Sequence, residues 1–399
     1  MSWDYATLDQ LGTISRGKSK HRPRNDKKLF GGKYPFIQTA DVKSAGLYLT
    51  EFSETYNEYG LQQSKLWKAS TLCITIAANI ADTAILGIDA CFPDSIMGFI
   101  PFEGVANVKF VKYAFDILQR DCQKISQGTA QDNLSWKKLS TIKFPAPPIE
   151  VQNKIVNIIS TYDDLIENNR KQIKLLEEAA QRLYKEWFVD LKFPGYENIT
   201  IVEGIPNGWN KRKILEIGII ITGKTPSTSK EQYYGGNIPF VKIPDMHGCV
   251  YPITTETTLS LEGATTQKNK YIPKNSIMVS CIGTVGLVNI AIELCQTNQQ
   301  INSIILNNEH DLYYTYSTMK RIKSLLEGVG SNGATMTNVN KSKFENLKVL
   351  YPSEELREKY YNFCDPIFNK IYSLSVSNYK LMQARNRLLP KLMNGEIEV

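Results

Sequence analysis

The sequence predicts an α+β protein written twice: two homologous domains joined by two long helices that pair as an antiparallel coiled coil about a pseudo-twofold axis. Three observations carry that prediction. The chain matches itself at an offset near 205 residues. Each half changes texture once, from short apolar runs broken by Gly, Pro, Asn and Thr to an unbroken helical period. The two helical stretches carry matching apolar seams.

The self-match runs the length of the chain. Trp3 falls on Trp209, Gly12 on Gly218, and Gly17-Lys18-Ser19 on Gly223-Lys224-Thr225. With a two-residue adjustment, GGKYPFIQTAD (Gly31 to Asp41) falls on GGNIPFVKIPD (Gly235 to Asp245). Further on, Gly128 and Asn133 fall on Gly333 and Asn338, and Lys143 and Pro147 on Lys348 and Pro352. A period this long excludes a solenoid and means that each half holds a whole domain plus an extension. The predicted boundaries are a domain over 1–147, a helix over 148–193, a second domain over 194–351 and a second helix over 352–399.

Within each domain, runs such as LCITIAANIA and SIMVSCIGTVGLVNIAI predict many short strands. After FPAPP (Phe144 to Pro148) a step of three and four residues takes over. It links Ile159, Tyr162, Ile166, Asn169, Ile173, Leu176, Ala180, Leu183 and Trp187. At the constant offset the second seam is Cys364, Ile367, Ile371, Leu374, Asn378, Leu381, Arg385, Leu388 and Leu392, with Pro390 expected to kink or stop its helix. One such stripe is an ordinary surface helix; two matched stripes in one chain point to each other. Antiparallel pairing would return the second helix toward the first domain and give a dumb-bell. The polar seam residues then suggest a register in which Asn169 faces Asn378, Ile173 faces Leu374, Leu176 faces Ile371, Ala180 faces Ile367 and Tyr162 faces Arg385, because a buried Asn pair fixes register.

Bulk properties bound the function. Apolar content of 42% and charged content of 22% are ordinary for a globular protein. No run of eighteen apolar residues and no signal-peptide pattern is visible, so a cytoplasmic location without a membrane span is expected. Seven scattered cysteines with no C-x-x-C pair, and three isolated histidines, predict free, mostly buried thiols and no metal site. The net charge of +7 mildly favours an anionic partner.

GTISRGKS (Gly12 to Ser19) and GIIITGKT (Gly218 to Thr225) both fit the phosphate-loop pattern G-x-x-x-x-G-K-[ST]. A working phosphate loop needs a buried strand before its first glycine and a helix after its Lys-Ser/Thr. Here Ile-Ile-Ile-Thr between the glycines itself looks like a strand, and the next segments, KHRPRNDKKLFGG and PSTSKEQYYGG, lack a helical period. The pattern repeats because the domain repeats. Those next segments are more informative than the pattern itself. Arg16 to Lys33 holds eight Lys/Arg and one acid, a charge run that is either a solvated loop or a contact surface for DNA phosphates and base edges. Lys18, Ser19, Lys20, Arg22 and Arg24 are the candidate contacts there; in the less basic second copy they are Lys224, Thr225, Ser227, Thr228 and Lys230. A second candidate pair of loops, SQGTAQDNLS and SNGATMTNVN, offers Thr129, Gln131 and Asn133, and Thr335, Thr337 and Asn338; each is also readable as a capped turn.

Three stretches set a pattern: GKTPS…YYGGNIPFVKIPD (Gly223 to Asp245), the proline-led helix from Pro147 to Phe188, and LLPKLMNGEIEV (Leu388 to Val399); GKSKHRP in the first copy departs from it. On these residues the chain resembles the specificity subunits of type I restriction–modification enzymes over nearly its whole length. The resemblance implies two target-recognition domains, each reading half of a split DNA sequence in the major groove. It implies that the helices act as a spacer and as the dock for modification (methyltransferase) subunits, two of them, and for restriction (translocase/nuclease) subunits. S-adenosylmethionine, ATP and Mg would then sit on those partners, and this chain would hold no cofactor and be no enzyme itself.

The residues agree with a non-catalytic chain: there is no [DN]-P-P-[YF], no glycine-rich cofactor fingerprint after a strand, and no Glu-x-Lys. Ile159 to Trp187 spans about 42 Å at roughly 1.5 Å per residue, close to the roughly 34–36 Å of one B-DNA turn. A nucleotide enzyme, a protein scaffold and a stand-alone two-domain DNA-binding regulator are the alternative readings.

Overall fold

The computed structural model describes residues 3–77, 80–126, 134, 136–321 and 339–399. They form two compact units: Met1–Glu167 with Lys380–Val399, and Asn168–Tyr379.

The duplication is visible strand by strand. In the first unit a sheet runs in the order Gly12–Arg16, Ile96–Pro101, Leu72–Thr75, Thr83–Leu86, with Tyr48–Leu49 added in parallel at the far edge. In the second unit the order is Gly218–Thr222, Ile301–Leu306, Ile277–Ser280, Val288–Ile290, again antiparallel throughout. A second sheet joins Glu54–Tyr56, Phe30–Phe36, Ala90–Cys91 and Leu66–Trp67 in the first unit; its counterpart joins Thr257–Leu259, Tyr234–Val241 and Gln296–Thr297. The central strands Leu72–Thr75 and Ile277–Ser280 are buried along their whole length, which is why they read as continuous apolar runs and not as alternation. Val108–Ser126 packs on Thr83–Leu86, and Leu312–Lys320 on Val288–Ile290.

Two forty-residue helices, Ile149–Phe188 and Glu354–Met393, carry the seams. They run antiparallel within each unit. In the second unit Asn169 Nδ2 donates to Asn378 Oδ1 at 2.9 Å, and the two residues are only 9% and 8% exposed. The expected Asn pair is therefore present. Ile173, Leu176, Ala180, Leu183, Ile367 and Ile371 share one apolar core around it, and Leu374 is buried nearby. In the first unit Ile159 packs in a core with Leu388, Leu389, Leu392 and Met393; Ile166 is buried, and Tyr162 and Leu381 are half-buried.

Two seam expectations need correction. Arg385 donates not toward Tyr162 but to the neighbouring carboxylate of Asp163, whose other oxygen accepts from Tyr113 Oη at 2.6 Å. A guanidinium needs an acceptor, and the phenol cannot match a buried carboxylate. The helix also runs three residues past Pro390, to Met393. Burial of Leu389, Leu392 and Met393 holds this last turn, where one lost amide bond matters little. Pro366, deep inside the same helix, likewise does not end it.

Removing one partner of the Asn pair leaves the other amide buried and unpaired. Asn169→Ile is expected to lower stability by about 1–3 kcal/mol, and adding Asn378→Leu to restore most of it. Urea melts of the single and double variants measure this; a single variant as stable as wild type would remove the pair from the account.

None of the seven cysteines is in a disulfide; six are buried and Cys249 is half-buried. Burial pushes the Cys249 and Cys281 thiols up to about 11, and those of Cys295 and Cys364 up to about 12. At pH 8 the native chain should leave these four unreacted toward a thiol-disulfide reagent, while denaturant should release all seven. Rapid native labelling of Cys295 or Cys364 would contradict the burial described. Among the described residues no group of three or more His, Cys, Asp or Glu is placed to hold a metal, and no helix is long and apolar enough to cross a membrane.

Candidate nucleic-acid interface

The four glycines of the repeated phosphate-loop pattern have a packing role. A Cβ on Gly12 would lie 2.3 Å from the Ile100 carbonyl oxygen, and one on Gly218 2.3 Å from that of Ile305. On Gly17 it would meet the Pro93 oxygen at 2.3 Å, and on Gly223 the Asn298 oxygen at 2.2 Å. Only a residue without a side chain lets these strands approach. The amides a phosphate would need are already used: Gly17 and Lys18 donate to Ile96 and Phe92, and Gly223 and Lys224 to Ile301 and Thr297, at 2.8–3.1 Å. Gly12–Arg16 and Gly218–Thr222 are themselves strands, with no helix following the Lys-Ser/Thr.

The basic loop after Gly17 is built by internal hydrogen bonds. The Lys18 carbonyl accepts from Ser64 Oγ at 2.7 Å, and the His21 amide donates to Gln63 Oε1 at 3.0 Å. Asp26 accepts from the Lys28 amide at 3.0 Å and meets His21 Nε2 at 2.9 Å; these bonds hold its carboxyl below the ordinary carboxylate range. Several expected contact residues are therefore engaged within the loop. Arg22 Nη1 donates to the Ser19 and His21 carbonyls at 2.7 and 2.8 Å, and Arg24 pairs with Asp94 at 2.7 Å. Lys18 is half-buried and Ser19 buried, whereas Lys20 is exposed. Arg16 and Lys27, also exposed, have no ion-pair partner among the described residues and add to the positive surface.

In the second domain the equivalent loop is neutral at its base. Thr225 Oγ1 donates to Gln299 Oε1 at 2.7 Å, and the Ser227 and Ser229 hydroxyls meet at 2.8 Å. Lys230 Nζ donates to Tyr233 Oη at 3.0 Å; Lys224 and Thr228 are exposed. The remaining loop candidates, Thr129, Gln131, Asn133, Thr335, Thr337 and Asn338, lie outside the described residues.

The first-domain loop forms one wall of a cleft of about 800 Å³ that Ser19, Arg24 and Lys27 share with Gln38, Thr39 and Glu54. Gln38 and Glu54 were not visible as site residues in the sequence. They lie sixteen positions apart and meet only because Phe36 pairs with Glu54 across two strands. An alternating strand signal could have paired the strands, but no local motif marks these residues.

The likeness of this chain to known proteins agrees with this geometry. The family described as type I restriction modification DNA specificity domain matches twice, over residues 2–178 and 206–375. The type I restriction enzyme HindI specificity subunit of Haemophilus influenzae is 30% identical, across 97% of this chain and 98% of that protein. The MjaIX specificity subunit of Methanocaldococcus jannaschii is 26% identical, across 100% and 94%. The crystal structure of a type I restriction-modification system S subunit from M. genitalium shares the fold, with a TM-score of 0.59 over 98% of this chain and 96% of that one at 16% identity. The chain thus belongs to the type I restriction–modification specificity subunits, a family in which its role is DNA recognition.

Proposed function

We propose that this chain reads a bipartite DNA site, one domain per half-site, and that the long helices dock the methyltransferase and restriction subunits of a cytoplasmic complex. The observation that carries this reading is the repeated domain itself: the same strand order supports a basic loop in one copy and a hydroxyl-rich loop in the other. Two frames with different contact chemistry suit two different half-sites. The chain contributes recognition only. S-adenosylmethionine, ATP and Mg belong to the partners in this reading, with two modification subunits served by two helical copies. The HindI and MjaIX proteins, named as specificity subunits of type I restriction enzymes, support the assignment.

The test is co-expression with the neighbouring modification subunit and genome-wide mapping of methylated adenines. One split motif with a fixed unread spacer is expected. Adding seven residues to each long helix lengthens it by about 10 Å, so the spacer should grow by roughly three base pairs while both half-sites persist. Changed half-sites would sink the spacer idea. A complex that forms without methylating any motif would favour a scaffold, and failure to form one would favour a stand-alone DNA-binding regulator.

A further inference from the structure

We propose that base choice in the first half-site is made at the Gln38–Glu54 corner of the cleft, and in the second half-site at Lys242; this rests on the bipartite reading above. The cleft carries cations on its rim, Arg24 and Lys27, but Glu54 in its wall. A carboxylate offers acceptors only and repels phosphate, so the cleft is poorly made for backbone alone. It is well made for a base edge, where a carboxylate accepts from an amino group and an amide pairs with adenine. Gln38 Nε2 donates to Glu54 Oε2 at 2.8 Å, which fixes both side chains and leaves Glu54 Oε1, Gln38 Oε1 and one amide hydrogen for a ligand. Ser19, only 6% exposed, adds a further polar side chain to the lining.

The second domain keeps the frame and changes the chemistry. The Gln38 amide donates to Asp41 Oδ2 at 2.7 Å, and the Lys242 amide donates to Asp245 Oδ2 at 2.8 Å, so the two residues leave equivalent strands in equivalent turns. Lys242 Nζ then pairs with Glu256 at 3.1 Å, where the first copy has an amide bonded to Glu54. A neutral amide beside a carboxylate favours an amino-bearing base edge, whereas an ammonium favours guanine O6 and N7. A shared strand-to-turn frame with different side chains at one corner is what two readers of different half-sites require.

The experiment uses the full chain in complex with its modification subunit and selection from a randomised duplex library. Glu54→Gln, which keeps size and the bond to Gln38, should relax preference at one or two adjacent base pairs of one half-site by about tenfold, and leave the other half-site intact. Lys242→Ala should relax a guanine-containing position in the opposite half-site and spare the first. An assembled variant complex that selects the wild-type motif unchanged overturns the assignment. So does one that loses both half-sites together, or a pair of variants that affect the same half. A wild-type complex that selects no split motif would instead break the bipartite reading itself.

Discussion

Arg357→Leu is expected to destabilise the second unit by about 3–5 kcal/mol, because it strands a buried carboxylate. Asp311 is 1% exposed and Arg357 5%. One oxygen of Asp311 accepts from the Arg357 guanidinium, and the other from Tyr351 Oη at 2.5 Å. Arg357 also lies 4.1 Å over the Tyr351 ring, and its Nε donates to the Pro352 carbonyl at 3.2 Å. Burial pulls the guanidinium down to about 10, which leaves it charged at neutral pH. The first copy solves the same junction without charge. There Gln152 donates to the Val105 and Pro147 carbonyls at 3.0 and 2.9 Å, and its Oε1 accepts from the Asn107 amide at 2.9 Å. The double variant Asp311→Asn with Arg357→Gln copies that neutral arrangement and should recover most of the loss, since replacing both partners of a buried pair is far milder than removing one. Urea denaturation of the single and double variants reads both effects. A loss under about 1 kcal/mol would mean that the ion pair is not what holds this junction.

Gly223→Ala is the second large effect. The new methyl group would sit 2.2 Å from the Asn298 oxygen and 2.3 Å from the Thr297 oxygen, both backbone atoms, so the strands must part. Overpacking of this kind destabilises by about 1–3 kcal/mol or more, which lowers the melting temperature of a unit this size by several degrees. Gly17→Ala, against Pro93 and Phe92, should do the same in the first unit. The neighbouring Lys224→Ala is the contrast. Its side chain is exposed, and the change should stay within about 0.5 kcal/mol. A nucleotide-binding loop would give the opposite ranking for ligand affinity, with the lysine decisive. Calorimetry of ATP against wild type and Lys224→Ala separates the two: a measurable affinity lost with the lysine would overturn the packing role of the motif.

How much of the fold was legible in the sequence depended on how local each signal was. The duplication and the strand-rich domains were readable because glycines at close strand contacts and fully buried, mostly apolar central strands leave marks in single short stretches. The helix register was readable because Asn169 and Asn378 are matching polar interruptions of mostly apolar seams. The Arg385 partner was not, since Asp163 lies one residue off the seam positions and gains its importance from Tyr113 on another helix. The cleft was only half legible. Its cations formed a visible charge run, but internal bonds tie down Arg22 and Arg24, and strand pairing alone brings Gln38 to Glu54. Composition shows that a loop is basic; it does not show which of its charges the fold has already spent.

The make-up of the first unit has a consequence for the order in which the protein becomes itself. Its core joins Leu8, Ile155 and Ile159 to Leu389, Leu392 and Met393, so a unit begun before Asn168 is closed only by residues that follow Tyr379. The second unit, Asn168–Tyr379, is complete before then. Domains of a nascent chain ordinarily finish from the N-terminus onward; here the earlier of the two units is closed after the later one, across the whole of its neighbour's sequence. Closure entropy grows only slowly with loop length, so the delay is long in time but modest in free energy. A message cut short just after Tyr379 would yield a folded second unit attached to an open first one, with its apolar helix face bared to the cell's proteases.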